Sequence, residues 1–331
     1  MPTVEFIDEQ VRYWYGDSWP LVCAGKWAEL ARCIENTEFL KRVKVLGLNE
    51  ASVLLTYGAF GSYRARHAAD VIREIRALDV SHRFTDIHRF PVCMVDSIGP
   101  NTPLIAYNRL IPVEHLPLGA ILWPLQYHID TARVGFKDAE PFESKVDGVM
   151  FRGALSGIIE EDDRVRSRLR TSRLATVDRW HARPWADMGI VLVPDHVAKK
   201  LTPEAQARVA GCSKQSIDFA QVLRYKFVLC IEGADISTAL GGVLASLSVP
   251  ICPYPFCYET WFFNGLQPWV HFVPIRPDTS DLEDAWLWCR ENAEKCKEIA
   301  EQGRQHMSTM LNDDVLRQIK RGVVDRWALS V

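Results

Sequence analysis

The second half of the chain alternates short apolar runs with amphipathic segments. Helical periodicity over Ser237–Leu247 and Leu282–Gln302 separates several apolar runs that are bounded by turn residues. Because Lys226–Ile231 (KFVLCI) is almost continuously apolar, we expect it to be covered on both faces of a parallel sheet. This order of elements predicts a doubly wound α/β domain. The predicted strands are Gly148–Phe151, Gly189–Pro194, Lys226–Ile231, Ser248–Cys252 and Val270–Ile275.

The first half contains similar apolar runs, with a helical pattern over Tyr63–Leu78. The strands predicted there are Ser52–Tyr57, Pro91–Val95 and Leu104–Tyr107. The polar, turn-rich stretch Gly135–Gly148 is the candidate linker. We therefore predict two domains, over residues 1–140 and 141–305, followed by an amphipathic helical tail over 306–331.

Composition and charge are those of a folded soluble protein. The 331 residues are 48% apolar and 24% charged, which suits two domains with their own cores. Since 39 Lys and Arg oppose 42 Asp and Glu, a globally basic nucleic-acid binder is not expected. No apolar run approaches the length of a membrane span, and the N-terminus MPTVEFIDEQ lacks the apolar core of a secretory signal. The nine Cys lack framework spacing, so we expect reduced thiols in a cytosolic protein.

A first candidate site follows the predicted strand that ends at Ile231. Glu232–Gly233 form the turn, and Ser237–Thr238 lie where the next helix is expected to begin. Ligands of open α/β sheets bind at the carboxyl ends of strands, and a helix start attracts phosphate. A nucleotide diphosphate over Ser237–Thr238 would then receive positive charge from Arg224 and Lys226. The alternative is that these hydroxyls only cap a structural helix.

A second candidate is Arg152–Gly153, at the end of another predicted strand and close to Gly157. The fixed fork of an Arg binds phosphate oxygens, and glycines allow a ligand to approach the backbone. The alternative is an ordinary turn with a surface Arg. The segment matches neither the Gly-x-Ser-x-Gly elbow of α/β hydrolases nor a Walker loop.

A third candidate is the aromatic segment Tyr258–Pro274. Most of its aromatic residues are expected in a core, although such rings also stack on sugars and bases. Glu259 is different, because a carboxylate among apolar neighbours needs a partner. That partner is either a pair of sugar or ribose hydroxyls or a nearby Arg.

A basic run occupies the region Arg164–Arg183, and the usual structure of such a run is a solvated helix face. An alternative is peripheral contact with an anionic acceptor or with membrane headgroups. The run consists of Arg164, Arg166, Arg168, Arg170, Arg173, Arg179 and Arg183, with Asp178 opposing.

Metal-ligand spacing is poor in this chain. The Cys pairs 252/257 and 289/296 have no matching His pair, no C-x-x-C occurs, and the Asp-x-Asp string of metal-dependent sugar-nucleotide transferases is missing. We predict no metal site and no cofactor.

Several strings together resemble glycosyltransferase family 90. They are RYKFVLCIEGAD, LASLSVP, YETWF, PWVHFVPI and the upstream FRGALSG. The family includes LpsA-type lipopolysaccharide core transferases, fungal capsule xylosyltransferases and Rumi-like protein O-glucosyltransferases. The match is specific from about Lys145 to Cys289. Eukaryotic members have Phe-Arg-Gly where this chain has Ile231-Glu232-Gly233, so one phosphate-binding Arg of the family is missing.

The resemblance implies a GT-B fold, in which two Rossmann-like domains face a cleft. In two-domain α/β enzymes a C-terminal helical tail often packs back across the domain junction, and that is one possible place for the predicted tail. The N-terminal domain would serve the acceptor and the C-terminal domain would bind a UDP-sugar, with inversion and without an essential metal. It places Arg152–Gly153, Arg224, Lys226, Glu232–Gly233 and Ser237–Thr238 around the donor; Glu259 is our own addition to that set.

Inversion requires a base that takes the proton of the acceptor hydroxyl. In the family this base is an Asp in the N-terminal half, after a strand and before a Pro. Asp96 in Met94–Pro100 fits that position, and Asp86 and His88 are its rivals.

The sequence thus predicts an inverting, UDP-sugar-dependent glycosyltransferase that acts on a glycan or lipid-linked glycan, such as lipopolysaccharide core. We expect it in the cytoplasm, with peripheral contact at the inner membrane as an alternative. Two other interpretations stay open: a catalytically silent nucleotide-sugar-binding protein and a protein O-glycosyltransferase. A nucleotide-sugar epimerase or dehydrogenase is set aside, because Gly-x-Gly-x-x-Gly is absent.

Overall fold

A computed structural model of the protein describes residues 2–16, 43–48, 51–56, 62–78, 92–93, 105–111, 120–159 and 171–329. Its contacts divide the chain into two compact units. Unit 1 comprises Met1–Tyr127, Tyr258–Asn264 and Thr309–Val331. Unit 2 comprises His128–Cys257 and Gly265–Ser308. Unit 1 therefore includes the start of the aromatic segment and the last helix.

Within the described residues, the chain forms the following strands and α-helices. The strands are β1 Val43–Leu48, β2 Ala51–Thr56, β3 Val92–Cys93, β4 Ile105–Ala106, β5 Asn108–Leu110, β6 Ile121–Leu122, β7 Val146–Ala154, β8 Ala186–Leu192, β9 Tyr225–Leu229, β10 Val249–Pro253, β11 Tyr258–Thr260 and β12 Val273–Ile275. The helices are α1 Val4–Tyr15, α2 Ser62–Leu78, α3 Gln126–Val134, α4 Arg173–Trp180, α5 Asp195–Ala198, α6 Pro203–Cys212, α7 Phe219–Val222, α8 Leu240–Leu244, α9 Leu282–Glu291, α10 Ala293–Met310 and α11 Asp313–Leu329.

Unit 2 is built on a five-stranded sheet with the order β12-β10-β9-β7-β8. All neighbouring strands in it run parallel. Phe227, Val228 and Leu229 of β9 are buried, as expected for a central strand with both faces covered. This confirms the prediction of an α/β domain with a parallel sheet. The hydrophobic core includes side chains of β7, β9 and β10 and of helices α4, α6, α9 and α10.

One predicted helix of unit 2 is two helices in the structure. The pattern over Leu282–Gln302 is interrupted at Asn292, which ends α9. Both the backbone N–H and the side-chain amide of Asn292 donate to the carbonyl of Trp288, at 2.9 and 2.8 Å. Asn side chains compete in this way with helix hydrogen bonds, so the chain turns there and α10 starts at Ala293.

Unit 1 contains a second five-stranded sheet with the order β1-β2-β3-β4-β6. The pair β1 and β2 is antiparallel, and the other pairs are parallel. A separate antiparallel pair joins β5 to β11, and α11 packs against α1 and α2. Lys320 of α11 forms an ion pair with Glu74 of α2, whose carboxylate also accepts from the indole of Trp123 at 3.0 Å. Among the described helices, none has the length and apolar character that a bilayer crossing needs.

Candidate functional site

Two loops meet at the carboxyl edge of the unit 2 sheet. One follows β7 and contains Ser156 and Gly157; the other follows β9 and contains Gly233. Gly157 has φ of 81°, and a Cβ placed on it would lie 2.5 Å from the carbonyl oxygen of Gly233. A Cβ on Gly233 would lie 2.4 Å from the hydroxyl oxygen of Ser156. The loops can approach this closely only because both positions are glycine.

Arg173 binds both of these loops. It is the first residue of α4, after the N-cap Ser172. Its Nη1 donates to the carbonyl of Ala154 at 2.9 Å and to the hydroxyl of Ser156 at 3.0 Å. Its Nη2 donates to the carbonyl of Ile231 at 2.8 Å, and its Nε to the carbonyl of Glu232 at 3.3 Å. One planar guanidinium therefore joins the loop after β7 to the loop after β9.

The charge of Arg173 is held in a low-dielectric environment. Burial lowers the pKa of the guanidinium from its ordinary 12.5 to about 10. The carboxylates of Asp235 and Glu232 act in the opposite direction. With a pKa near 10, Arg173 stays positively charged at neutral pH and offsets part of the negative charge of these two acids.

Glu232 joins the loop after β9 to the segment that follows β10. Both of its carboxylate oxygens accept from the backbone N–H of Cys257, at 3.0 and 3.1 Å. In that segment Tyr254 is 41% exposed, and its ring contacts those of Phe256 and Phe272 with centroids 5.6 and 5.7 Å apart. The carboxyl edge thus carries a fixed carboxylate and an exposed aromatic ring.

Ser237 and Thr238 lie on the same edge but do not cap a helix as predicted. Helix α8 has five residues, its N-cap is Ala239, and no side chain caps it. Ser237 is buried and contributes its backbone carbonyl to the N–H of Leu240, whereas Thr238 is exposed. The expectation of a long, side-chain-capped helix over Ser237–Leu247 is therefore wrong, and a five-residue helix does not provide the phosphate-binding helix start that was expected at Ser237–Thr238.

Arg152 has its partners near the amino-terminal ends of β8 and β9. Its Nη2 lies 2.5 Å from Oδ1 of Asp187, and its Nη1 donates to the backbone carbonyl of Asp187 at 2.7 Å. Asp187 also accepts from Lys214 at 2.6 Å and from the hydroxyl of Tyr225 at 2.8 Å. Burial alone would raise the pKa of Asp187, but these hydrogen bonds outweigh it and lower the pKa to about 2. Burial, and to a smaller extent the hydrogen bond to Asp187, raises the pKa of Tyr225 to about 12.

Arg224 and Lys226 also lie at the amino-terminal end of β9. The ammonium of Lys226 stands 5.6 Å from the ring centroid of Phe142. At roughly 3.3 Å per residue, six residues of extended chain separate Lys226 from Glu232 by roughly 20 Å. The structure brings Gly153, Glu232 and Gly233 together at the carboxyl edge, and it places Arg224, Lys226 and the guanidinium of Arg152 away from that edge.

Glu259 lies in unit 1, where its partner is an Arg. Strand β11 pairs Glu259 with Arg109 of β5, and the two side chains form an ion pair. The hydroxyl of Tyr13 donates to Glu259 at 3.0 Å. Arg109 also donates to the carbonyls of Tyr13, Trp14 and Ala120, at 2.7, 3.0 and 3.2 Å. The sequence left two partners open for Glu259, a pair of sugar or ribose hydroxyls and a nearby Arg. The structure shows the Arg.

Several predicted residues fall outside the described part of the chain. The candidate base Asp96 and its rivals Asp86 and His88 are among them, as are residues 160–170 of the basic run. In the rest of the run, Arg179 donates to the carbonyl of Asp278 at 2.7 Å, and Arg183 pairs with Glu283 at 3.7 Å. Across the described ranges, no group of three or more His, Cys, Asp and Glu side chains is arranged to hold a metal ion. The expectation of metal independence stays a prediction.

Arg173 is a site residue that the sequence pattern did not predict. It belongs to a basic run that was expected to be a solvated helix face. A signal was present, because Arg173 directly follows the capping residue Ser172, and a cation in the first turn opposes the helix dipole. A cation in that position indicates that it has partners outside its own helix.

Unit 2 is thus an α/β unit with a parallel sheet and two closely packed loops at the carboxyl edge, the part of such sheets that binds ligands. Comparison with known proteins identifies its family. The model described as glycosyl transferase family 90 matches residues 141–323, which is more than half of the chain. The protein belongs to glycosyl transferase family 90.

Individual relatives are distant and longer. The O-glucosyltransferase LpsA of Dichelobacter nodosus is 27% identical over 174 residues, which cover 52% of this chain and 46% of that protein. Protein O-glucosyltransferase 2 of Danio rerio is 35% identical over 98 residues, covering 30% and 19%. The uncharacterized protein 027R of Frog virus 3 is 29% identical over 198 residues, covering 54% and 19%. The chain therefore spans less than half the length of each of these relatives.

Proposed function

We propose that this protein is an inverting glycosyltransferase that moves a sugar from a UDP-sugar to a hydroxyl of a glycan acceptor. The observation that carries the proposal is the meeting of the loops after β7 and β9 at the carboxyl edge of a parallel sheet. Open α/β sheets bind nucleotides at this edge. The family match and the two relatives named as O-glucosyltransferases support glycosyl transfer as the reaction.

In this proposal the donor binds over the two loops. Gly153 and Gly233 remain predicted donor contacts, and Ser237 and Thr238 offer polar groups nearby. The carboxylate of Glu232, which the backbone N–H of Cys257 holds in place, accepts hydrogen bonds from ribose or sugar hydroxyls. The exposed ring of Tyr254 offers a stacking surface for the base or the sugar.

Arg152, Arg224 and Lys226 remain predicted donor contacts. Their present contacts do not connect them to the two loops. Their long side chains would have to change partners to reach a diphosphate at the carboxyl edge. We therefore rest the donor site on the loop residues.

The remaining features of the proposal concern the whole enzyme. Asp96 acts as the base that removes the acceptor proton while the hydroxyl attacks the anomeric carbon and the bond to UDP breaks. Negative charge then grows on the departing UDP, and fixed donors stabilise it more than they stabilise the bound substrate. A GT-B arrangement, metal independence, a lipopolysaccharide-type or lipid-linked acceptor, and a cytoplasmic or peripheral inner-membrane location belong to the same proposal.

The test is UDP release from a panel of UDP-sugars by the full chain, with Glu232→Gln as the probe of the edge. The amide keeps an acceptor for the N–H of Cys257 but removes the charge. Hydrogen bonds to a charged group contribute about 1.5–3 kcal/mol, so we expect KM for the donor to rise about tenfold or more. Glu298→Gln is the matched control, because Glu298 is 64% exposed and pairs only with Lys295 on its own helix among the described contacts.

Three results would contradict parts of this proposal. UDP that binds without turnover on any acceptor favours a silent nucleotide-sugar-binding protein. UDP release that survives in Asp96→Asn removes Asp96 from the role of base. Transfer to a protein hydroxyl rather than to a glycan favours the protein O-glycosyltransferase interpretation, which the name of the Danio rerio relative keeps open.

A further inference from the structure

Arg173 is the element that fixes the spacing between the two loops. Nη1 donates hydrogen bonds to Ala154 and Ser156, at the end of β7 and in the loop after it. Nη2 and Nε donate to Ile231 and Glu232 in the loop after β9. The guanidinium is planar and its donors have fixed directions, so the distance between the two sets of acceptors is set by one rigid group.

The position of Arg173 in its own helix argues against a role in helix formation. Ser172 already caps α4 by accepting from the N–H of Ala175 at 3.1 Å. A cation at this helix start is unfavourable for the helix itself. Its hydrogen bonds instead leave α4 and reach residues 17 to 59 positions away in the sequence.

We propose that Arg173 is the positioning residue of the donor site. It holds the loops after β7 and β9 in one arrangement and offsets the charge of Glu232 and Asp235, so that an anionic diphosphate can approach the edge. This inference rests on the proposed function for the identity of the ligand. The clamping of the loops follows from the hydrogen bonds alone.

The variant that tests the inference is Arg173→Lys. Lysine keeps the positive charge but replaces the fork by a single ammonium, which cannot reach both sets of acceptors with the same geometry. Arg208→Lys is the matched control, since Arg208 on α6 pairs with Asp178 at 2.8 Å and is about one third exposed. Both variants are compared with the wild-type full chain for melting temperature, amide hydrogen exchange, UDP binding and the kinetics of UDP release.

We expect Arg173→Lys to speed amide exchange at least tenfold in peptides that contain residues 153–157 and 231–235. Peptides from the interior of β9 and β10 should keep wild-type protection. KM for the UDP-sugar should rise at least tenfold, with a smaller change in kcat, because the loops must be ordered again when the donor binds. Arg208→Lys should match the wild type in each of these measurements.

Each contrary result has a definite meaning. Exchange that rises equally in all peptides of Arg173→Lys, with a lower melting temperature, makes Arg173 a general stability residue and overturns the inference. Unchanged loop exchange and unchanged KM overturn it as well. If the wild type binds no UDP, the proposed function and the donor role of Arg173 fail together, while the exchange data still decide whether Arg173 clamps the loops.

Discussion

The guanidinium groups of Arg109 in unit 1 and Arg173 in unit 2 have different kinds of hydrogen-bond partner. Arg109 forms an ion pair with Glu259 and donates to three carbonyls, so a carboxylate neutralises it at contact distance. The hydrogen bonds described for Arg173 end on three carbonyls and one hydroxyl, and Glu232 and Asp235 act on it through the electrostatic field.

The difference separates an Arg that forms a structural ion pair from an Arg that orders the loops of the candidate site. Arg109 and Glu259 neutralise each other, and their contacts hold β5, β11 and α1 together. Arg173 organises backbone groups at the carboxyl edge, the part of parallel sheets where ligands bind, and no carboxylate is among its described hydrogen-bond partners. Residue type alone made both Glu259 and Arg152 good binding candidates, whereas their partners in the structure give them structural contacts.

The largest expected effect concerns Glu259. Glu259→Gln leaves Arg109 charged and buried without a carboxylate, and breaking a buried pair costs several kcal/mol. We expect the free energy of unfolding to fall by about 3 kcal/mol, measured by chemical denaturation. A loss of less than about 0.5 kcal/mol, the value of an exposed pair, would remove the structural role that we assign to Glu259.

The same variant separates the two partners considered for Glu259. If the carboxylate binds a sugar or ribose hydroxyl, KM for the donor rises while stability stays close to that of the wild type. If Arg109 is the partner, the free energy of unfolding falls by the amount given above. Glu298→Gln provides the exposed carboxylate control for the denaturation measurement.

An intermediate effect is expected at Gly157. Gly157→Ala forces a side chain into φ of 81° and places its Cβ 2.5 Å from the carbonyl oxygen of Gly233. The left-handed conformation alone costs about 1–2 kcal/mol, so we expect a loss of about 2 kcal/mol in unfolding free energy together with a higher donor KM.

Gly211→Ala is the control for this change. Gly211 lies in α6, and a Cβ there meets nothing within 4 Å. Ala is favoured over Gly in a helix by about 0.5–1 kcal/mol, so this variant should be slightly more stable than the wild type. A Gly157→Ala protein with wild-type stability and donor KM would show that the two loops can separate without consequence.

The smallest effect is expected at Asp187, the partner of Arg152. Because the folded-state pKa of Asp187 is lowered to about 2, its ion pairs stabilise the fold above pH about 4 and lose this contribution as the pH falls toward 2. Asp187→Asn should therefore cost about 1 kcal/mol at pH 7, a value reduced by solvent screening, and the difference should shrink below pH about 4. Urea midpoints of both proteins across this pH range give the measurement; a constant difference would contradict the assigned ion pairs.

Much of unit 2 follows from local sequence. The apolar run around Phe227 predicted β9, and the run that begins at Ser248 predicted β10, because a strand covered on both faces leaves few polar positions. The turn glycines at positions 153 and 233 marked the ends of β7 and β9, where the candidate site lies. Helix lengths were less predictable, since Asn292 divides one periodic segment and α8 stops after five residues.

The sequence by itself determined the five strands of the unit 2 sheet and where its carboxyl edge lies, because these follow from apolar patterning and turn residues. It did not predict β1, β5, β6 or β11 of unit 1. Only the tertiary structure decided which ion pair or hydrogen bond each charged side chain forms. Arg109 and Glu259 are 150 positions apart, and Arg173 reaches residues up to 59 positions away. Such pairs depend on the direction in which each side chain leaves its element and on which strands are neighbours in the sheet, and neither is encoded in local spacing.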